Sequence, residues 1–329
     1  MAQAGSNPRN HAASFESILP MKPIIPTVPA WSALELRSVE PSYTREPLAP
    51  TRADLRNLGC SEETIEHLFP NPKTEGVFLD PSEWFWKDRA WFKHTPPDVM
   101  ADIARISGGF FSDLSLTDQA QLLGVEIRTI PGERVRGERG KWRSAAGLAV
   151  DIEEFALEAL LQPGERGTWN EGKSLNAFHL LTAKVFEKMH GHWIGFEETN
   201  RRPYTASAAY TQKVLAAARS VLDDPRSVYF KLQSYFDHLM KAPISEVERF
   251  IDVAGPEHIL RVLDHGYTNG TRSMSGHPDI TIRGEGLRFI EVKHRDRLHG
   301  NQADWILSVA KPLGLDVEII RVADEKGPR

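Results

Sequence analysis

The apolar pattern of this chain changes period near residue 279, and that change limits the folds open to it. From Asp151 to about Leu263 apolar residues recur at helical spacing, in the segments Asp151 to Leu161, Ser174 to Met189, Ala206 to Leu222, Val228 to Lys241 and Ile244 to Leu263. Further on, Asp279-Ile-Thr-Ile-Arg283 and Leu287-Arg-Phe-Ile-Glu-Val-Lys293 alternate with period two. Ala303 to Leu313 is helical again and Val317 to Val322 reads as a last strand. The expectation is an α/β unit at the carboxyl end with a mainly helical region before it.

Gly284-Glu285-Gly286 joins the two alternating runs and is a tight-turn signal, so the runs form a hairpin. A turn centred on Glu285 pairs Ile280 with Ile290, Thr281 with Phe289 and Asp279 with Glu291. Directly opposed residues have Cβ atoms about 4.5–5.5 Å apart, close enough for two carboxylates to share one cation. A bulge at the turn slips the register by one and puts the acids on opposite faces. Lys293, two residues past Glu291, points to the same side as Glu291.

Two acids so placed repel, and one is pushed toward its neutral form unless a cation joins them. Hard carboxylate oxygens suit Mg²⁺ or Mn²⁺, a phosphoryl-transfer arrangement in which Lys293 orients water or offsets growing charge. The same spacing also describes a plain surface hairpin whose Asp/Glu pair is balanced by a lysine, and spacing alone leaves the two readings level.

Gly276-His-Pro278-Asp279 followed by Glu291-Val292-Lys293 resembles the Pro-Asp…Glu-x-Lys pattern of the PD-(D/E)XK nuclease superfamily. The continuation Asp296-Arg297-Leu298, Asn301-Gln302 and Trp305 resembles its VRR-NUC branch. Glu171-Gly172 opening a helix with Phe178 and Leu180-Leu181, and Gly255-Pro256-Glu257, are similar to the Fanconi-associated nuclease type. The resemblance implies an α/β fold with a restriction-endonuclease-like mixed sheet flanked by helices at the carboxyl end, and hydrolysis of DNA phosphodiesters to 5′-phosphate products. It implies metal binding by Asp279, Glu291, the backbone carbonyl of Val292 and an upstream helical carboxylate, Glu171. It implies catalytic parts for Lys293 and Gln302. His277 stands where the family has an apolar residue, and the linker His294-Arg295 is one residue short, so Asp296 is given no role. For Glu171 the competing reading is a first-turn acid favoured by the helix dipole. For Gln302 it is a core amide; Gln302, Ile306, Val309 and Leu313 form one helical stripe that turns Gln302 toward the sheet.

Three regions follow: residues 1–50 as a proline-rich extended arm, 51–150 as a small mainly helical accessory region, and 151–329 as the VRR-NUC-like nuclease domain. Trp84-Phe85-Trp86 to Lys93 mixes aromatics with cations; a small core explains it better than base stacking. Arg128 to Arg143 reads as a flexible basic loop, a solvated surface more than a phosphate-binding segment, because Glu133 and Glu138 dilute its charge. His190-Gly191-His192 lacks a third ligand nearby and reads as ordinary histidine.

A net charge of −5 spreads no positive field over the molecule, so a DNA partner has to be held locally. Cys60 is the one cysteine, which fits a reducing interior. The first residues show no Sec-type signal and no apolar run reaches the ~20 residues of a membrane span, so an intracellular protein without membrane contact is expected. No GxxxxGK[ST] or GxSxG motif occurs, which leaves nucleotide hydrolysis and serine-esterase chemistry without support. The leading expectation is a Mg²⁺- or Mn²⁺-dependent nuclease that hydrolyses DNA phosphodiesters by a metal-activated water, on branched or flapped DNA if its role is repair. Two alternatives stand beside it: an antibacterial DNase toxin, exported by a leaderless route and neutralised by a cognate inhibitor protein, and a non-catalytic DNA-binding module.

Overall fold

Strands β5 (Ile280–Arg283) and β6 (Leu287–Lys293) pair antiparallel in the register expected from the turn, Ile280 against Ile290 and Thr281 against Phe289. The Gly284 N–H closes the turn on the Gly286 carbonyl at 3.0 Å. This is seen in a computed structural model that describes residues 52–57, 59–68, 84–86, 95–169, 173–191, 207–236, 243–269 and 276–325. The arm expected over residues 1–50 lies outside the described residues.

The hairpin is the middle of a five-stranded mixed sheet. Strand β4 (Arg166–Trp169) adds antiparallel to β5, β7 (Asp316–Asp324) adds parallel to β6, and β1 (Glu126–Gly132) adds parallel to β7, giving the order β1-β7-β6-β5-β4. Strands β2 (Trp142–Arg143) and β3 (Ala149–Val150) form a separate short ribbon.

Strand β1 lies ahead of the boundary expected at residue 151, yet it pairs along its whole length with β7, from Glu126 opposite Glu318 to Gly132 opposite Asp324. The sheet therefore crosses that boundary. The stretch Arg128 to Arg143 is accordingly not one open loop: its first part is strand and its end enters the β2–β3 ribbon. Pro131 hides the strand in the sequence, because proline cannot donate to a ladder, and β1 tolerates it as an edge strand.

Period-two alternation along β6 sends Phe289 to one face and Ile290 and Val292 to the other. Phe289 packs with Val317, Ile319 and the helices α4 (Leu116–Leu123), α10 (Pro256–Asn269) and α11 (Gly300–Trp305), the last running on into a π-helical turn, Ile306–Ala310. Ile290 and Val292 pack with Ile280, Ile282, Ile320, Trp142 and α5 (Ile152–Leu160). Full burial of each such side chain contributes about 2–3 kcal/mol. Ser115 caps α4 by accepting the Asp118 N–H, and Gly124 ends that helix in a left-handed conformation.

Helices α6 (Lys173–His190), α7 (Ala208–Asp223) and α9 (Ile244–Ala254) pack with α10 into a bundle around Phe178, Leu181, Val214 and Phe250; α8 (Pro225–Phe236) lies against it. Arg283 ties the sheet to the bundle, its guanidinium donating to the Val253 and Ala254 carbonyls at the end of α9. Ahead of the sheet, α1 (Arg52–Asn57), α2 (Glu62–Leu68) and α3 (Pro97–Ser107) enclose a small core of Leu55, Ile65, Trp84, Val99 and Ile103. Trp84 and Phe85 are thus core residues, as expected of that aromatic run; its residues 87–93 lie outside the described ones. Among the described residues no helix is long and apolar enough to cross a membrane.

Candidate active site

Glu291 and Lys293 leave β6 on the face covered by α11, and Asp279 joins them from the residue before β5. Asp279 Oδ2 accepts the Val292 N–H at 2.8 Å, which fixes the acid across the hairpin from Glu291. Lys293 Nζ donates to Glu291 Oε1 at 2.7 Å, and the Nε2 of Gln302 donates to the same oxygen. Gln302 Oε1 in turn accepts the His299 N–H at 2.8 Å, so the first turn of α11 holds the amide on Glu291.

Glu291 is 1% exposed, and its second oxygen, Oε2, is buried and meets no N–H donor, while its carboxyl interacts with that of Asp279. Burial, and next the Asp279 charge, push its carboxyl well above the usual range, against the pull of Lys293. Burial also works against the Lys293 ammonium, yet the charge and hydrogen bond of Glu291, with Asp279 and Asp296, hold its pKa above the ordinary lysine value. Asp296 Oδ2 is 3.6 Å from Lys293 Nζ, at the outer side of the site, while its Oδ1 accepts the His294 N–H.

An orphaned buried carboxylate oxygen facing a second acid is what a hard divalent cation relieves, and an all-oxygen donor set is its preferred surrounding. The pair fits a Mg²⁺ or Mn²⁺ ion on those grounds. Among the described residues, no group of three or more His, Cys, Asp or Glu converges on a metal position. The expected third carboxylate, Glu171, lies outside the described residues: these stop at Trp169, opposite Ile280, and resume at Lys173.

Of the expected residues, then, Asp279, Glu291, Lys293 and Gln302 are brought together. His277 packs: it is buried among Phe250, Phe289 and Trp305, with Nδ1 2.9 Å from the Pro278 carbonyl oxygen. Gly276, at φ 85°, lies so close to α11 that a Cβ there would stand 2.0 Å from the Asn301 carbonyl oxygen; this contact seats the helix carrying Gln302.

A cleft of about 450 Å³ opens over the site, lined by Asp279, Lys293, Asp296, Asn301 and Gln302 on one side and by Arg134, Gly140, Trp142 and Glu153 on the other. The second wall was not foreseen for the site. The Trp142 ring stacks on Phe155 and meets His294 edge-on, centroids 5.1 Å apart, and His294 is itself held to the Val322 carbonyl. Gly132 makes room, since a Cβ there would sit 2.9 Å from the Trp142 ring. The only sequence signal for this wall was the clustering of cations between residues 128 and 143.

No family model and no curated protein matches the chain. Among solved structures it is similar to crystal structures of paFAN1, one bound to DNA with a two-nucleotide 5′ flap and a gap, at a TM-score of 0.40 and 14% identity, and one with a one-nucleotide flap, at 0.40 and 16%. Each match covers 82% of this chain and 48% of that chain, so the chain spans about half the length of the solved structures it matches.

Proposed function

We propose that this protein is a Mg²⁺- or Mn²⁺-dependent DNA nuclease of the PD-(D/E)XK type, acting on branched or flapped duplexes. The observation that carries the reading is the burial of the Glu291 carboxyl against that of Asp279, with no N–H donor on its Oε2, on the hairpin that also delivers Lys293. Asp279, Glu291 and the Val292 carbonyl would hold the ion, with Glu171 as the further carboxylate. A divalent ion there supplies Lewis-acid chemistry, lowering the pKa of water and offsetting phosphate charge.

The chain's own residues do the rest. Lys293 lines the cleft and keeps its positive charge, so it offsets the charge gathering on a phosphate under in-line attack, and it orients the attacking water. Gln302 holds Glu291 in one rotamer, which fixes where its free oxygen points. Attack on phosphorus breaks the bond to the 3′ oxygen and leaves the phosphate on the 5′ side.

The test is cleavage of supercoiled plasmid and of a 5′-flap duplex in Mg²⁺, in Mn²⁺ and in EDTA. Cutting is expected with either metal, none in EDTA, and none by Asp279→Ala or Glu291→Gln. Mn²⁺ is also expected to raise the melting temperature of the wild type and not of Asp279→Ala, because a ligand that binds only the folded state stabilises it. Retained cutting by Asp279→Ala overturns the proposal.

A further inference from the structure

We infer that Arg134 is a DNA-binding residue of this cleft, gripping a backbone phosphate next to the one that faces Lys293. The inference rests on the nuclease reading for the identity of the polymer, and its own support is the wall opposite the paired acids. The basic stretch from 128 to 143 is not uniformly available. Arg128 meets Glu318 at 3.2 Å, Lys141 meets Asp151 at 2.9 Å and Arg143 meets Glu133 at 3.1 Å. Each of those cations already has a counter-charge.

Arg134 differs. Among the described residues it meets no carboxylate at ion-pair distance; its guanidinium lies over the Trp142 ring, 5.5 Å from the centroid, and it lines the cleft. A guanidinium on an indole face is held in place while its edge donors stay exposed, the geometry suited to a bidentate phosphate contact. Trp142 passes this placement to the catalytic strand through its edge-on contact with His294, the residue after Lys293. Arg134 is thus registered against Lys293 by two rings and not by a free loop. Glu153, the acid on the same wall, keeps the cleft from being a uniform cation patch and leaves Arg134 the basic group there. Arg136 and Arg139 are exposed and lie outside the cleft lining, so they add field without a fixed direction.

The experiment compares Arg134→Gln with Arg136→Gln in the full chain. Binding of a fluorescein-labelled flap duplex is followed by anisotropy in EDTA across a salt series, and cleavage is followed in Mn²⁺. Arg134→Gln is expected to weaken binding about tenfold, to reduce the slope of log affinity against log salt by about 1, and to raise KM with kcat held. Arg134→Lys, which keeps the charge but not the fork, recovers part of the affinity. Arg136→Gln changes binding less than about twofold, as a diffuse surface charge does. Equal losses in Arg134→Gln and Arg136→Gln, or no loss in Arg134→Gln, overturn the assignment. A wild type that binds and never cuts defeats the nuclease reading while the binding series still decides Arg134; a wild type that does not bind DNA defeats both.

Discussion

Gln302 spans two elements with one amide: its Nε2 donates to Glu291 Oε1 on β6 and its Oε1 accepts the His299 N–H at the start of α11. Replacement by leucine removes the donor that steadies Glu291 and leaves a helix N-terminus one acceptor short. Gln302→Leu is expected to lose about 1 kcal/mol of stability and, if Glu291 holds the proposed ion, to cut about tenfold or more slowly, the usual effect of removing a metal ligand's hydrogen-bond partner. Urea unfolding and single-turnover cleavage measure the two effects. A variant that loses stability but cuts at the wild-type rate shows the amide to be a cap alone.

The Lys293–Glu291 pair is buried on both sides, 5% and 1% exposed, so breaking it from one side strands a charge. Lys293→Met is expected to cost up to about 3 kcal/mol in the metal-free protein, because Glu291 must then either stay charged without its partner or take up a proton, and adding Glu291→Gln to restore most of that loss, since a neutral amide does neither. On the proposed nuclease reading, neither variant is expected to cut DNA. Additive costs in the double variant would show that the two groups do not sense one another.

The hairpin was legible because its information is local: alternation fixes which side chains share a face, and Gly284-Glu285-Gly286 fixes which residues oppose. Gln302 was legible for the same reason, as a helical stripe of Ile306 and Val309 turns it inward. Strand β1 was not, since its partner β7 lies far along the chain, no turn signal joins them, and Pro131 breaks the look of a strand. The cleft's second wall failed on the same ground. Nothing in Arg134, Trp142 and His294 taken singly says that a stacked arginine, an indole and an imidazole from three places will line up beside Lys293.

Gly276 tests how tightly the helix must sit on the hairpin. Its φ of 85° is a conformation that L-residues adopt reluctantly, and an alanine methyl would meet the Asn301 carbonyl. Gly276→Ala is expected to cost about 2 kcal/mol or more from strain and overlap, and relief by moving α11 outward takes Gln302 off Glu291. Cleavage should therefore fall further than stability alone explains, measured at a temperature where the variant is still folded. Normal turnover in a folded Gly276→Ala protein would mean that α11 can shift without disturbing the acids.

Acid should weaken the fold through a histidine remote from the cleft. His179 on α6 is buried beside Tyr267 with Nε2 unpartnered, and burial pushes its imidazole down to about 4. The unfolded chain, with histidine near 6.5, takes up a proton in a window where the folded protein does not. The unfolded state then binds more protons, so stability is complete above about pH 6.5 and falls as the pH drops toward 4, by about 3 kcal/mol for this group. His258, also near 4 mainly through burial, acts in the same direction. His179→Leu keeps an apolar side chain in the core and removes the titrating group. Its urea midpoint should change less between pH 7 and pH 5 than that of the wild type, and an unchanged difference would place the acid sensitivity elsewhere.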